Sequence, residues 1–133
     1  ISHSHKGLFK GKKVLLAEDI EINKEILSAI LDETDIEIEW AVNGAEAVAL
    51  FEKNPDAYDL ILMDVHMPEM DGYQATQRIR SLPLEKAVNI PIVAMTANVF
   101  REDIEKCIAI GMDDHIGKPL DKDDLMNKLK RYL

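Results

Sequence analysis

In Asp59-Leu60-Ile61-Leu62-Met63-Asp64-Val65-His66-Met67-Pro68-Glu69-Met70-Asp71-Gly72, an apolar run from Leu60 to Met63 leads straight into a carboxylate, Asp64. The run has the length and composition of a buried strand. Pro68 and Gly72 punctuate the loop that follows, and a helical pattern begins near Tyr73. A strand, a polar loop and a helix in that order make half of a βαβ unit. In open parallel sheets, ligands gather at the carboxyl ends of the strands. Asp64 lies at such an end.

The flanking sequence repeats the pattern. Val14 to Ala17 is a short apolar run closed by Glu18-Asp19, and Ile22, Ile26, Leu27, Ile30 and Leu31 recur at helical spacing from Glu21 to Glu33. Ile36 to Ala41 alternates and predicts a strand with one wetter face at a sheet edge. Asn43-Gly44 is a turn before a helix from Ala45 to Lys53, which Asn54-Pro55 ends. Downstream, a helix runs from Tyr73 to Arg80 and a loop lies between Pro83 and Pro91. A fourth strand, Ile92 to Met95, ends in Thr96-Ala97. Arg101 to Ile110 is a helix stopped by Gly111. Asp114 to Gly117 is a short strand leading into Lys118-Pro119, and Asp121 to Leu133 is the last helix. Five alternations predict a doubly wound α/β fold, a flavodoxin-like five-stranded parallel sheet of order 2-1-3-4-5 covered on both faces.

Composition narrows the function classes. Hydrophobic residues are 47% and charged residues 31% of the 133, which suits one folded domain rather than a disordered chain. No run approaches a membrane helix in length, and no secretory leader is visible. A single cysteine, Cys107, leaves no disulfide framework or thiolate zinc cluster, and it reads as a small buried hydrophobe. A net charge of -9 argues against nucleic acid as a partner and suits a divalent cation where carboxylates converge. The chain starts at Ile1, and residues 1–11, with His3 and His5, lack periodicity. They are expected to be a flexible lead-in or linker, with residues 12–133 as the domain.

On that topology one sheet edge collects Glu18 and Asp19 from the first strand, Asp64 from the third, Thr96 from the fourth and Lys118 from the fifth. Each alone has a plainer reading: a helix cap for Glu18 or Asp19, a surface lysine, a turn threonine, a loop carboxylate. Together they point to chemistry. Carboxylates this close need a cation, and an all-oxygen set selects Mg²⁺ or Mn²⁺. A lysine ammonium neutralises a phosphoryl oxygen and a threonine hydroxyl donates to another. The set is a phosphoryl-transfer site with Asp64 as nucleophile, on which the protein would catalyse its own modification as a mixed anhydride. His66 could bind metal through its ring, but a loop residue contributing its backbone carbonyl is the preferred reading. A cis bond before Pro119 would aim Lys118 inward.

With these motifs in place, the chain resembles the receiver domain of two-component response regulators. The resemblance spans about Lys12 to Leu133 and rests on Leu16-Ala17-Glu18-Asp19, Met63-Asp64-Val65-His66-Met67-Pro68-Glu69-Met70-Asp71-Gly72, Met95-Thr96-Ala97 and Lys118-Pro119. It implies that Asp64 is the phosphoacceptor, that Asp19 binds Mg²⁺ directly and Glu18 through water, and that the His66 carbonyl is a third ligand. It implies phosphoryl-contacting switch roles for Thr96 and Lys118. The family usually has Phe or Tyr three residues before the lysine, and here His115 stands there. The implied partners are a histidine kinase domain or a histidine phosphotransfer domain, engaged partly through the first helix around Ile22 to Leu31. The runs Glu18 to Asn23 and Met95 to Asp103 are similar to receivers of hybrid sensor histidine kinases, so a cytoplasmic C-terminal domain of such a kinase is expected, in a parent that could be membrane-anchored. A stand-alone regulator acting by contact is the alternative within the class. A flavodoxin-type FMN protein would want a Ser/Thr/Gly-rich phosphate loop where Glu18-Asp19-Ile20-Glu21 stands. A phosphohydrolase of the haloacid dehalogenase type would want a second Asp where His66 stands.

Overall fold

A computed structural model describes residues 5–97 and 100–133. The strands are β1 (Lys13–Ala17), β2 (Glu37–Ala41), β3 (Leu60–Asp64), β4 (Ile92–Thr96) and β5 (Asp114–Gly117). They form one parallel sheet of order β2-β1-β3-β4-β5. The helices are α1 (Glu21–Leu31), α2 (Gly44–Lys53), α3 (Gly72–Arg80), α4 (Glu85–Asn89), α5 (Arg101–Ile110) and α6 (Lys122–Tyr132). No helix among the described residues is long and apolar enough to cross a membrane.

The two-residue period of the strands builds two cores. Leu15, Ala17, Ile61, Met63, Ile92 and Ala94 face one way, into a cluster with Phe51, Ala75, Ile79 and Cys107. Val14, Leu16, Leu60, Leu62, Val93 and Met95 face the other, packing on Leu27 and Leu31 of α1 and Leu125 and Leu129 of α6. β3 and β4 are buried throughout, as central parallel strands must be, while β2 at the edge is only half covered.

Several ends differ from expectation. α1 stops at Leu31, and a 3-10 turn over Asp32–Thr34 follows, closed by Asp35 at φ 62°. Thr34 is buried there and donates its hydroxyl to the Leu31 carbonyl, which draws the last turn tight. The loop between Pro83 and Pro91 contains a helix that periodicity did not show. α4 is five residues long, too short for a hydrophobic stripe, and depends on tertiary contacts. Arg80 supplies them, donating to the carbonyls of Ala87, Val88, Ile90 and Gly111 and to Asp113. The stretch expected as lead-in carries a core residue. Phe9 is 4% exposed, and the amides of Gly7 and Phe9 donate to the carbonyls of Glu33 and Thr34. Ile1 to Ser4, including His3, lie outside the described residues, as do Asn98 and Val99 within the Met95 to Asp103 run.

Candidate functional site

The site sits where strands end and helices have not begun. Register places its parts: Asp64, the last residue of β3, pairs with Met95, and Thr96, the last of β4, pairs with Gly117, one residue before Lys118. The Lys118 amide donates to the Thr96 carbonyl at 2.9 Å, so both chain ends turn together. β1 ends at Ala17, and Glu18 and Asp19 follow at once.

Glu18, Asp19 and Asp64 each present a carboxylate oxygen within 4.8 Å of the others. Glu18 is 0% and Asp64 1% exposed, while Asp19 lies nearer the rim. Lys118 Nζ is 3.0 Å from Asp64 Oδ2 and 3.2 Å from Glu18 Oε1. The Lys118–Pro119 peptide is cis. Glu18 also does what a cap would do: its Oε2 accepts from the amides of Asp19 and Ile20. Its Oε1 is left for the site. Glu18 Oε1, Asp19 Oδ1 and Asp64 Oδ2 are buried atoms with no directed hydrogen bond, although the lysine charge is near two of them. Three such oxygens around one point suit a hard divalent cation, and no soft ligand is among them.

The electrostatics agree. Burial pushes the Glu18 carboxyl up, and the nearby Asp64 adds to it, with Lys118 and the Ile20 amide opposing. For Lys118, burial alone would lower the ammonium, but the Asp64 and Glu18 carboxylates outweigh it and the net shift is upward. Lys118 is therefore a fixed positive charge beside a cluster of three carboxylates, more than one ammonium can balance.

His66 divides between its two readings. Its ring is exposed and outside the carboxylate cluster, while its backbone N–H donates to Asp64 Oδ1 at 3.1 Å. What reaches Asp64 is the His66 backbone N–H, not the imidazole. Thr96 is 1% exposed at the same edge. His115 pairs with Ala94, so it shares the sheet face of Ala94 and Thr96. Its Nδ1 lies 3.7 Å from Asp114 Oδ1. Two glycines read as punctuation matter here. A Cβ at Gly72 would stand 2.3 Å from the Asp64 carbonyl oxygen, and one at Gly44 would stand 2.3 Å from that of Met70. The Asn43-Gly44 and Asp71-Gly72 pairs were the only sequence signal for either contact.

The comparisons point one way. The family model for the response regulator receiver domain matches residues 14–130. The chain is 41% identical over 124 residues to hybrid signal transduction histidine kinase L of Dictyostelium discoideum, covering 90% of this chain and 7% of that protein. It is 43% identical over 133 residues to two-component system protein A of Emericella nidulans, covering 99% of this chain and 19% of that one. The chain thus spans a small part of the curated relatives it matches. Among solved structures, the receiver domain of a sensor histidine kinase from Pseudomonas aeruginosa, with a magnesium ion coordinated in its active-site cleft, is similar at TM-score 0.81 and 36% identity, covering 92% of this chain and 97% of that one. The co-crystal structure of the Saccharomyces cerevisiae histidine phosphotransfer protein Ypd1 with the receiver domain of its downstream response regulator Ssk1 is similar at TM-score 0.83 and 30% identity, covering 93% of this chain and 90% of that one.

Proposed function

This chain belongs to the response regulator receiver domain family, and we propose on that premise that Asp64 is its phosphoacceptor, loaded from a phosphohistidine. The observation that carries the assignment is the junction of Asp64 with Lys118 and two further carboxylates at one buried point. An Asp64 carboxylate oxygen attacks phosphorus, the phosphorus–nitrogen bond of the donor breaks, and the donor imidazole leaves with its electron pair. Lys118 lies at Asp64 and balances charge on a phosphoryl oxygen. Thr96 donates its hydroxyl to another, and His115, on the same sheet face, follows the movement of Thr96. Glu18, Asp19, Asp64 and the His66 carbonyl would hold Mg²⁺, or Mn²⁺ in its place, which when bound supplies positive charge against the transferring group.

The donor belongs to the same proposal: a histidine phosphotransfer domain or a kinase domain, docked on α1. Ile22 is 58% exposed, and Ile20 and Ile26 are open beside it next to the site. An origin within a hybrid sensor histidine kinase is supported by the Dictyostelium relative, and a place on the cytoplasmic side is part of the same proposal.

The test is intact mass after incubation with a small acyl phosphate, with and without Mg²⁺, beside Asp64→Asn. A Mg²⁺-dependent gain of one phosphoryl group that Asp64→Asn lacks supports the assignment, and an equal gain in the variant ends it. For docking, Ile22→Ser is expected to slow transfer from a phosphohistidine domain while leaving uptake from the small donor as it was. Equal slowing with both donors refutes the α1 surface.

A further inference from the structure

The loop over residues 65–71 carries the His66 peptide beside Asp64, and something must hold it there. Local restraints are the His66 amide on Asp64 Oδ1, the Gly72 amide on the Val65 carbonyl at 3.1 Å and the Met70 amide on the Pro68 carbonyl at 2.7 Å, and the Val65 amide donates to the Met95 carbonyl of β4 at 3.1 Å. The outer side of the loop is held from the start of α2. The Gly44 N–H donates to the Met70 carbonyl at 2.9 Å, and the Asn43 side-chain amide donates to Glu69 Oε2 at 3.3 Å. Between these contacts Glu69 adopts φ 65°, a conformation L-residues rarely take. Gly44 is buried, and a Cβ on it would also lie 2.9 Å from the Asp71 carbonyl oxygen, so backbone meets backbone with no side chain able to yield. Asn43 has two tasks, since its Oδ1 also accepts the Glu46 amide and caps α2. The first turn of α2 is therefore the abutment of the phosphoryl-site loop.

We propose that Gly44 and Asn43 are positioning residues for phosphoryl transfer: by clamping the 65–71 loop they hold the His66 peptide in place for the metal and for Asp64, without touching either. The proposal rests on the receiver reading above. It predicts that a residue on another helix governs metal affinity through a loop carbonyl, as outer partners of metal ligands do.

Three variants test it in the full chain. Gly44→Ala inserts the clashing Cβ. Asn43→Ser keeps a good helix cap but removes the grip on Glu69. Ala47→Gly, buried in the same helix, weakens α2 and removes none of the hydrogen bonds from Asn43 and Gly44 to the loop. Mg²⁺ affinity is measured by calorimetry, phosphoryl uptake by mass, and stability by urea unfolding. Gly44→Ala is expected to bind Mg²⁺ about tenfold more weakly and to take up phosphoryl more slowly until Mg²⁺ is raised. Asn43→Ser is expected to lose less, in the same direction. Ala47→Gly is expected to lower the urea midpoint with Mg²⁺ affinity unchanged. Parental Mg²⁺ affinity in Gly44→Ala, or an equal loss in Ala47→Gly, overturns the proposal. If Gly44→Ala does not fold, Asn43→Ser decides, with parental affinity as the refuting result. Should the parent take up no phosphoryl while Mg²⁺ affinities follow the expected order, the receiver chemistry fails and the clamp stands.

Discussion

Glu18, Asp19 and Asp64 converge on one point, and Lys118 is the ammonium that reaches two of them. Asp64→Asn removes one of the mutually repelling charges and nothing that packs. It is expected to stabilise the metal-free protein by about 0.5–2 kcal/mol, as relief of functional-site conflict does, with the urea midpoint in a chelating buffer as the measurement. Asp114 is the contrasting case. Burial would raise its carboxyl, but Lys128, the His115 amide and Tyr132 outweigh it and hold it below its ordinary 3.8. A carboxylate lowered by folding adds stability above its unfolded value and loses it as pH falls through the folded one, so the loss belongs below pH 3.8. Asp114→Asn is expected to cost about 2 kcal/mol at pH 7, with the gap to the parent narrowing in acid, read from urea unfolding across pH. Glu18 has the opposite sign: its raised carboxyl favours folding at low pH and costs stability as pH rises. The site carboxylates were legible in the sequence because each ends an apolar run. Asp114 was not, because its side-chain partners lie 14 to 18 residues away on α6, and only packing brings them to it.

At the scale of elements, Arg80 joins three segments that share no long hydrophobic stripe. Its Nη1 reaches three carbonyls around the end of α4, its Nε the Gly111 carbonyl after α5, and its Nη2 Asp113 before β5. A lysine keeps the charge but has neither the fork nor the number of donors. Arg80→Lys is therefore expected to lose about 2–4 kcal/mol, with amide exchange rising first in the α4 segment, because buried carbonyls are left without donors. In sequence Arg80 is one more basic residue at a helix end, which is why both it and α4 escaped notice. The long strands and helices were legible because hydrophobic spacing repeats over them. α4 has five residues, fewer than two turns, and offers no period to read.

For the molecule as a whole, the sheet order could be anticipated from five βα alternations, but the lower boundary of the domain could not. Residues before Lys12 have no period, yet Leu8-Phe9 was an apolar pair in an otherwise polar stretch, and Phe9 closes the cluster formed by β1, α1 and α6. Phe9→Ala is expected to cost about 3–5 kcal/mol of stability, and phosphoryl uptake by the folded fraction should stay parental because Phe9 belongs to the opposite end of the sheet. Urea unfolding and intact mass on the same sample separate the two.

The groove between β2 and α1 has a practical side as well. It is lined by Lys24, Glu25 and Ser28 of α1 and by Trp40, the one tryptophan in the chain. That indole is half-buried on the edge strand, next to the helix proposed to receive the phosphohistidine partner. Its emission thus comes from a single known place, and a partner lacking tryptophan can be titrated against it with no dye attached.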